Sequence, residues 1–195
     1  MPFRILTLIL VTSLASCAGV PTKGPTPSYE LKESARIHIP KSVPVTPQQP
    51  TDLPGLPNFG FISPDLWRGA EPTPDGLKTL AAMGVKTVID LRESDESADV
   101  PQGIYYVRLP VSAWHADRVD VAEVLRTISA SPKPVFIHCR EGRDRTGLAI
   151  AAFRLSQGMK ADDACKELRN FHVNWWWSNP IENRIRTLAR ASASR

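Results

Sequence analysis

The ten residues His138 to Gly147 restrict the fold of this chain more than any other stretch, because no spacer separates them from what lies on either side. Pro134-Val135-Phe136-Ile137-His138 is an apolar run of the kind buried in a central parallel strand. It passes directly into Cys139-Arg140-Glu141-Gly142-Arg143-Asp144-Arg145-Thr146-Gly147, and helical sequence follows from Leu148 to Leu155. A buried strand, a tight turn and an immediate helix bring several backbone N–H groups to one point, with the positive end of a helix dipole behind them. Such a point binds a phosphate dianion. Gly142 permits a backbone conformation costly for other residues, which lets the loop curl. Arg145 supplies a planar, two-pronged donor for two phosphoryl oxygens, a geometry lysine cannot copy. Cys139 stands at the entrance to the same field, which favours the thiolate, the nucleophilic form of sulfur. Arg140, Glu141, Gly142, Arg143, Asp144 and Thr146 are the remaining candidate binding residues, and the Thr146 hydroxyl can assist sulfur as a leaving group. His138 orients the loop, since strand alternation turns its side chain away from the ligand.

Around this loop, short apolar runs interleave with helical patterns. Strands are expected at Leu66 to Arg68, Lys86 to Leu91 and Ile104 to Leu109. Thr73-Pro74-Asp75 reads as a helix start, threonine as cap and proline at the first helical position, with the helix ending at Gly84. A second helix is expected from about Asp120 to Ser129, with Val121, Val124, Leu125 and Ile128 on one face. Two more follow, about Ala161 to Phe171 and Pro180 to Ala191. The alternation argues for an α/β domain with a central, mostly parallel sheet flanked by helices. A length of 195 residues with 42% hydrophobic content suits one domain plus appendages. The net charge of +4 is too mild and dispersed for a nucleic-acid surface, which leaves small or medium anions as ligands.

The first 57 residues have a different texture. Arg4, the apolar run Ile5 to Val11 and the small residues leading to Leu14-Ala15-Ser16-Cys17 read as a secretory signal over residues 1–16. Leu-Ala-Ser-Cys also resembles the lipobox of bacterial lipoproteins, which implies lipidation of Cys17 and a membrane anchor; ordinary cleavage nearby, with Cys17 incidental, is the alternative. By resemblance to lipoprotein sorting patterns, Ala18 in place of aspartate implies the outer membrane, with the domain on the periplasmic side of the cell envelope. Nine prolines between Pro21 and Pro57 make residues 17–57 an extended tether, with the domain running from 58 to 195. The third cysteine, Cys165, is expected as a small buried residue of a helix; a link to Cys139 is the alternative.

The pattern His-Cys-x5-Arg-Thr-Gly resembles the signature of the protein tyrosine phosphatase superfamily, in particular its bacterial and atypical dual-specificity members. Leu66-Trp67-Arg68-Gly69-Ala70-Glu71-Pro72, Val85 to Arg92 and Pro110 to His115 are similar to segments of the same group, so the likeness covers roughly Phe59 to Leu188. It implies a sheet with helices on both sides and the P-loop at its carboxyl edge. It also implies phosphomonoester hydrolysis through a phosphocysteine, with no metal and no organic cofactor. Cys139 would be the nucleophile and Arg145 the phosphate clamp.

The general acid of the family sits on a mobile loop that maps to Pro110 through Asp120, where Asp117 is the choice. Asp120 is a rival with an equally good role as helix cap, and Asp144 is another, as in inositol- and lipid-directed relatives. Asp117 precedes Cys139 by 22 residues, shorter than is usual for the class. Phosphotyrosine protein is the default substrate. Arg140 or Arg143 turned into the mouth would favour inositol polyphosphates or phosphoinositide headgroups, and a periplasmic address adds weight to small polyphosphates. Trp114 and His115 are pocket candidates, and Arg92 is either another or half of an ion pair. Trp175-Trp176-Trp177 is read as core and domain edge, with an exposed ring lining the pocket or touching a membrane as the alternative. A reading from a different class is a non-catalytic phosphate-binding module.

Overall fold

The computed structural model describes residues 45–94 and 100–193. The signal segment, Cys17, most of the proline-rich stretch and the acidic residues Asp95, Glu96 and Asp99 lie outside them. Among the described residues six strands form one sheet: β1 (Thr51–Leu53), β2 (Leu56–Ser63), β3 (Leu66–Gly69), β4 (Thr87–Asp90), β5 (Tyr105–Arg108) and β6 (Val135–His138). Their order is β1-β2-β3-β6-β4-β5. The pairs β3–β6, β6–β4 and β4–β5 are parallel, and β1–β2 and β2–β3 are antiparallel. The helices are α1 (Pro74–Ala82), α2 (Val121–Ala130), α3 (Asp144–Ser156), α4 (Ala161–Asn170) and α5 (Trp175–Ala193). A short 3₁₀ segment, Ala113–Arg118, precedes α2.

The period of two along each strand divides the core between the two faces of the sheet. Trp67, Val88 and Phe136 turn to one face and pack with Leu77 and Leu80 of α1. Leu66, Ile89, Val135 and Ile137 turn to the other, against residues of α2, α3, α4 and α5. The central strands are therefore apolar on both sides, as expected of a covered parallel sheet. Helix α3 is buried almost all round, and Gly147 makes this possible, because a Cβ there would stand 2.4 Å from Leu168 Cδ1 of α4. Buried Arg154 ties the layers together, bonding Glu167 of α4 at 3.0 Å and the Ile62 carbonyl of β2 at 3.0 Å. The fold class read from the sequence is thus the one observed.

Two boundaries differ from expectation. The folded unit reaches back past Asn58: β1 pairs with β2, Leu56 is fully buried, and Gln48 donates its N–H to Glu167 while its carbonyl accepts from Asn170. Proline density marked this stretch as a tether, yet Pro50 stands just before the edge strand β1, Pro54 in the turn after it and Pro57 at the beginning of β2, positions that tolerate proline. The last helix begins five residues before Pro180, at Trp175. The Asn174 carbonyl accepts from the N–H groups of Trp177 and Ser178, and Trp177 packs against the core, so the first turn forms before the proline.

Candidate active site

Strands β3, β6 and β4 end level with one another, since Gly69 and Asp90 both stand opposite His138. The chain leaving β6 therefore emerges between two strand ends, both of which hold it. The Leu91 N–H donates to the His138 carbonyl at 2.9 Å, and the Glu71 N–H donates to the Arg140 carbonyl at 3.2 Å. Asn58 Nδ2 donates to the carbonyls of Glu141 (3.1 Å) and Gly142 (3.2 Å), and Arg68 Nη2 also donates to the Gly142 carbonyl. In a trans peptide the N–H opposes the carbonyl. Carbonyls of Arg140, Glu141 and Gly142 held outward thus turn the N–H groups of Glu141, Gly142 and Arg143 inward, toward the mouth of the loop. Gly142 has φ +65°, and a Cβ on it would lie 2.4 Å from the Gly69 backbone, so the curl requires glycine. Among the described residues no side chain caps α3, which leaves its first-turn N–H groups for an anion.

Cys139, only 3% exposed, forms the floor of a cavity of about 300 Å³. Arg140, Glu141, Asp144 and Arg145 line one side, and Ala113, Trp114, Ala116, Asn174, Trp176 and Trp177 line the other. Arg145 is buried and anchored through Nη1, which donates to the carbonyls of Leu91 (3.2 Å) and Val111 (2.8 Å). Its Nε and Nη2 have no acceptor among the described residues. Thr146 is fully enclosed, and its hydroxyl has no partner among the described residues either.

The three candidate acids stand in different settings. Asp120 caps α2, accepting from the Glu123 N–H at 3.0 Å. Asp144 lines the cavity but accepts two bonds from Asn174, from its N–H at 2.9 Å and from Nδ2 at 2.5 Å. Asp117 lies half-buried on the 3₁₀ segment, between Ala116, which lines the cavity, and Arg118, which lines an adjacent cleft. It has no hydrogen bond or ion pair among the described residues. Arg143 turns away from the cavity to pair with Glu141 at 3.2 Å, while exposed Arg140 stays at its edge.

Beneath the loop, Asp90 is wholly buried and accepts from the Arg92 backbone N–H (2.8 Å), Arg92 Nη2 (2.8 Å) and the Tyr106 hydroxyl (2.5 Å). Arg92 reaches on to Glu71 at 2.8 Å, so it is half of an ion pair rather than a wall of the pocket. Burial alone would push the Asp90 carboxyl up. Hydrogen bonds from Arg92 and Tyr106, with His138 nearby, outweigh it and hold the group below the usual carboxylate range. Trp114 and Trp176 face the cavity while remaining 80% and 56% exposed. His115 lines the adjacent cleft instead. Cys139 and Cys165 are both free thiols, and burial pushes the Cys165 thiol up.

Three contributors were not singled out from the sequence: Arg68, Asn58 and Asn174. A charged residue inside the apolar Leu66 to Gly69 strand is a signal for the first. Asn58 and Asn174 carry none beyond the tolerance of asparagine for φ near +52°, which Asn58 adopts.

The fold and loop define a phosphatase-type α/β domain with its thiol at the carboxyl edge of a parallel sheet. A family described as "PTP-NADK: DSP-PTPase phosphatase fused to NAD+ Kinase" matches residues 62–175, and the chain belongs to this family of dual-specificity-type phosphatase domains. It is similar to the dual specificity protein phosphatase TpbA of Pseudomonas aeruginosa, with 38% identity over 119 residues. That match takes in 57% of this chain and 53% of the relative, so the chain spans about half the length of the curated relatives it matches. The crystal structure of P. aeruginosa TpbA superposes with a TM-score of 0.62 at 33% identity, covering 74% of this chain and 95% of the other. A complex of TpbA with phosphotyrosine gives 0.63 at 31% identity, covering 78% and 98%. The catalytic core of the yeast (S. cerevisiae) PP-IP phosphatase Siw14 shares the fold, with a TM-score of 0.54 at 18% identity over 71% of this chain and 92% of that one.

Proposed function

We propose that the domain hydrolyses phosphomonoesters through a phosphocysteine intermediate, as a phosphatase of the protein tyrosine and dual-specificity type. The observation that carries this reading is the loop itself, which puts the thiol of Cys139 and buried Arg145 in the lining of one cavity at the start of α3. In the first step the Cys139 thiolate attacks phosphorus, the bond to the ester oxygen breaks, and Asp117 protonates the departing oxygen. In the second, water attacks phosphorus and passes a proton to the Asp117 carboxylate, the S–P bond breaks, and the thiolate returns. Arg145 and the loop amides hold the equatorial oxygens where charge spreads in both transition states. The unpartnered Thr146 hydroxyl is available to the sulfur as it leaves.

Aromatic phosphomonoesters, phosphotyrosine among them, suit the cavity best. Arg143 is turned aside onto Glu141 and Arg140 stands exposed at the edge, so Arg145 is the one buried arginine in the cavity lining, short of the several converging cations that an inositol polyphosphate requires. The indoles of Trp114 and Trp176 offer a wall for an aryl group. Rapid quench of the enzyme with an aryl phosphate should trap phosphate on Cys139, and Cys139→Ser should abolish turnover while still binding the anion. Retained turnover would overturn the reading. A panel of phosphotyrosine peptides and inositol polyphosphates decides the substrate, with faster turnover of the peptides expected.

The anchor belongs to the same proposal: Cys17 lipidated, residues 18–47 as spacer, and the domain on the periplasmic face of the outer membrane. Its support is the Leu14 to Cys17 pattern after the apolar run. Palmitate labelling in a bacterial host should mark the chain, and Cys17→Ser should remove the mark.

A further inference from the structure

A second arginine lies behind the phosphate loop and has no use in the chemistry above. Arg68 stands opposite Ile137 across the β3–β6 pair. Leu66, Ile137 and Cys139 all turn to the face covered by α3, and alternation puts Arg68 on that face too, one strand over and two residues short of the thiol. The side chain is 1% exposed. Its Nη2 donates to the Gly142 carbonyl, its guanidinium carbon lies 3.8 Å from the centre of the Phe171 ring, and its Nε–H has no acceptor among the described residues. No carboxylate forms an ion pair with it among the described residues. Glu167, the carboxylate whose charge reaches it, is already bonded to Arg154 at 3.0 Å.

A buried cation without a counter-charge is costly, and folded proteins keep one where an anion is supplied. We propose that Arg68 is a positioning residue of the reaction: its counter-charge is the Cys139 thiolate and then the phosphoryl group, and its bond to the Gly142 carbonyl holds the Arg143 amide toward both. Burial pushes the guanidinium down to about 10, while the charges of Glu167 and Cys139 act against that, so it is protonated at neutral pH. The cation–π contact with Phe171 fixes it where no acidic side chain has to be buried with it. An acid in that place would neutralise Arg68 and remove its field from the sulfur. The part of this inference that concerns the phosphoryl group rests on the proposed function, whereas the part that concerns the thiolate does not.

The test reads the thiol without turnover. The rate of alkylation of Cys139 by iodoacetamide, localised by peptide mass spectrometry, is followed against pH in the full chain and in three variants. Arg68→Met should move the midpoint of reactivity upward by about one pH unit or more, the size expected when a neighbouring opposite charge is lost. Arg68→Lys, which keeps the charge but not the fork, should stay near the parent midpoint in this assay. Asn58→Ala removes a neutral donor from the same loop carbonyls and should raise the midpoint by clearly less than Arg68→Met does. Turnover of an aryl phosphate by Arg68→Met should recover toward the parent as pH rises past the new midpoint. A parent-like midpoint in folded Arg68→Met, a raised one in Arg68→Lys, or an equal shift in Asn58→Ala would each overturn the proposal. Should Arg68→Met fail to fold, Arg68→Gln, which keeps a donor for Gly142, is read by the same criteria. If turnover were absent from the parent while the alkylation pattern held, the proposed function would fail and the thiolate part of this inference would stand.

Discussion

A carboxylic acid that protonates a leaving oxygen has to carry its proton into the transition state, so a carboxylate already committed as an acceptor is poorly suited to the task. Asn174 holds both oxygens of Asp144, and the Glu123 N–H holds Asp120. Asp117 has no such partner among the described residues, which favours it on physical grounds that its short spacing from Cys139 does not provide. Asp117→Asn should slow hydrolysis of phenyl phosphate by roughly 10²-fold or more, the scale of general-acid catalysis. The loss should shrink for 4-nitrophenyl phosphate, whose leaving oxygen departs without a proton. Asp120→Asn should keep the parent ratio between the two esters. A loss dependent on the leaving group in Asp144→Asn, and not in Asp117→Asn, would move the acid into the loop. The steady-state ratio of the two esters is the measurement that separates the three.

At the scale of elements, the loop is held by strand ends rather than by its own residues. Asp90 at the end of β4, Arg92 just beyond it and Glu71 just beyond β3 form a chain, buried at Asp90 and Arg92 and half-exposed at Glu71, that ends on the Arg140 carbonyl. Asp90 is held below the usual carboxylate range, so its contribution is present above about pH 4, the value for a carboxyl in an unfolded chain, and is lost as pH falls further. Asp90→Asn should therefore cost about 3 kcal/mol at pH 7, by leaving Arg92 short of a partner. The gap to the parent should narrow below pH 4, as urea melts at pH 7 and pH 3 would show. Much of this architecture was legible beforehand. The apolar runs at 87–90 and 135–138, the Thr73-Pro74 start of α1 and the periodic face of α2 each followed from a local rule that tertiary packing did not overrule. Strand β2 was not, because Leu56-Pro57-Asn58-Phe59-Gly60 mixes proline, a left-handed asparagine and glycine where a strand rule expects β-branched residues. The partners of the loop were hidden for a different reason. Asn58 and Arg68 reach it across 83 and 74 residues of chain, a distance no periodicity can report.

For the whole molecule, the consequence is where the tether stops. If the domain began at Asn58, residues 45–57 would be spacer and their removal would cost nothing. Instead Leu56 lies fully buried beside Phe59 and Trp67, the Pro57 carbonyl accepts from Ala70 at 2.8 Å, and the Gly55 carbonyl accepts from Thr73 at 3.0 Å at the start of α1. Both bonds lie on the stretch that leads from β3 past the phosphate loop into α1, so this segment supports the site as well as the sheet. A chain beginning at residue 45 should melt with the full chain. A chain beginning at residue 58 loses β1, the buried Leu56 and these bonds, a deficit of roughly 3–5 kcal/mol on the scale of a large core deletion. For a domain of this size that corresponds to a fall of roughly 10 °C in Tm. Calorimetry on the two truncations decides the matter: equal melting temperatures would return residues 45–57 to the tether. A lower one, accompanied by weaker binding of vanadate, would place the end of the spacer at Gln48 and make the hairpin part of the phosphate site's support.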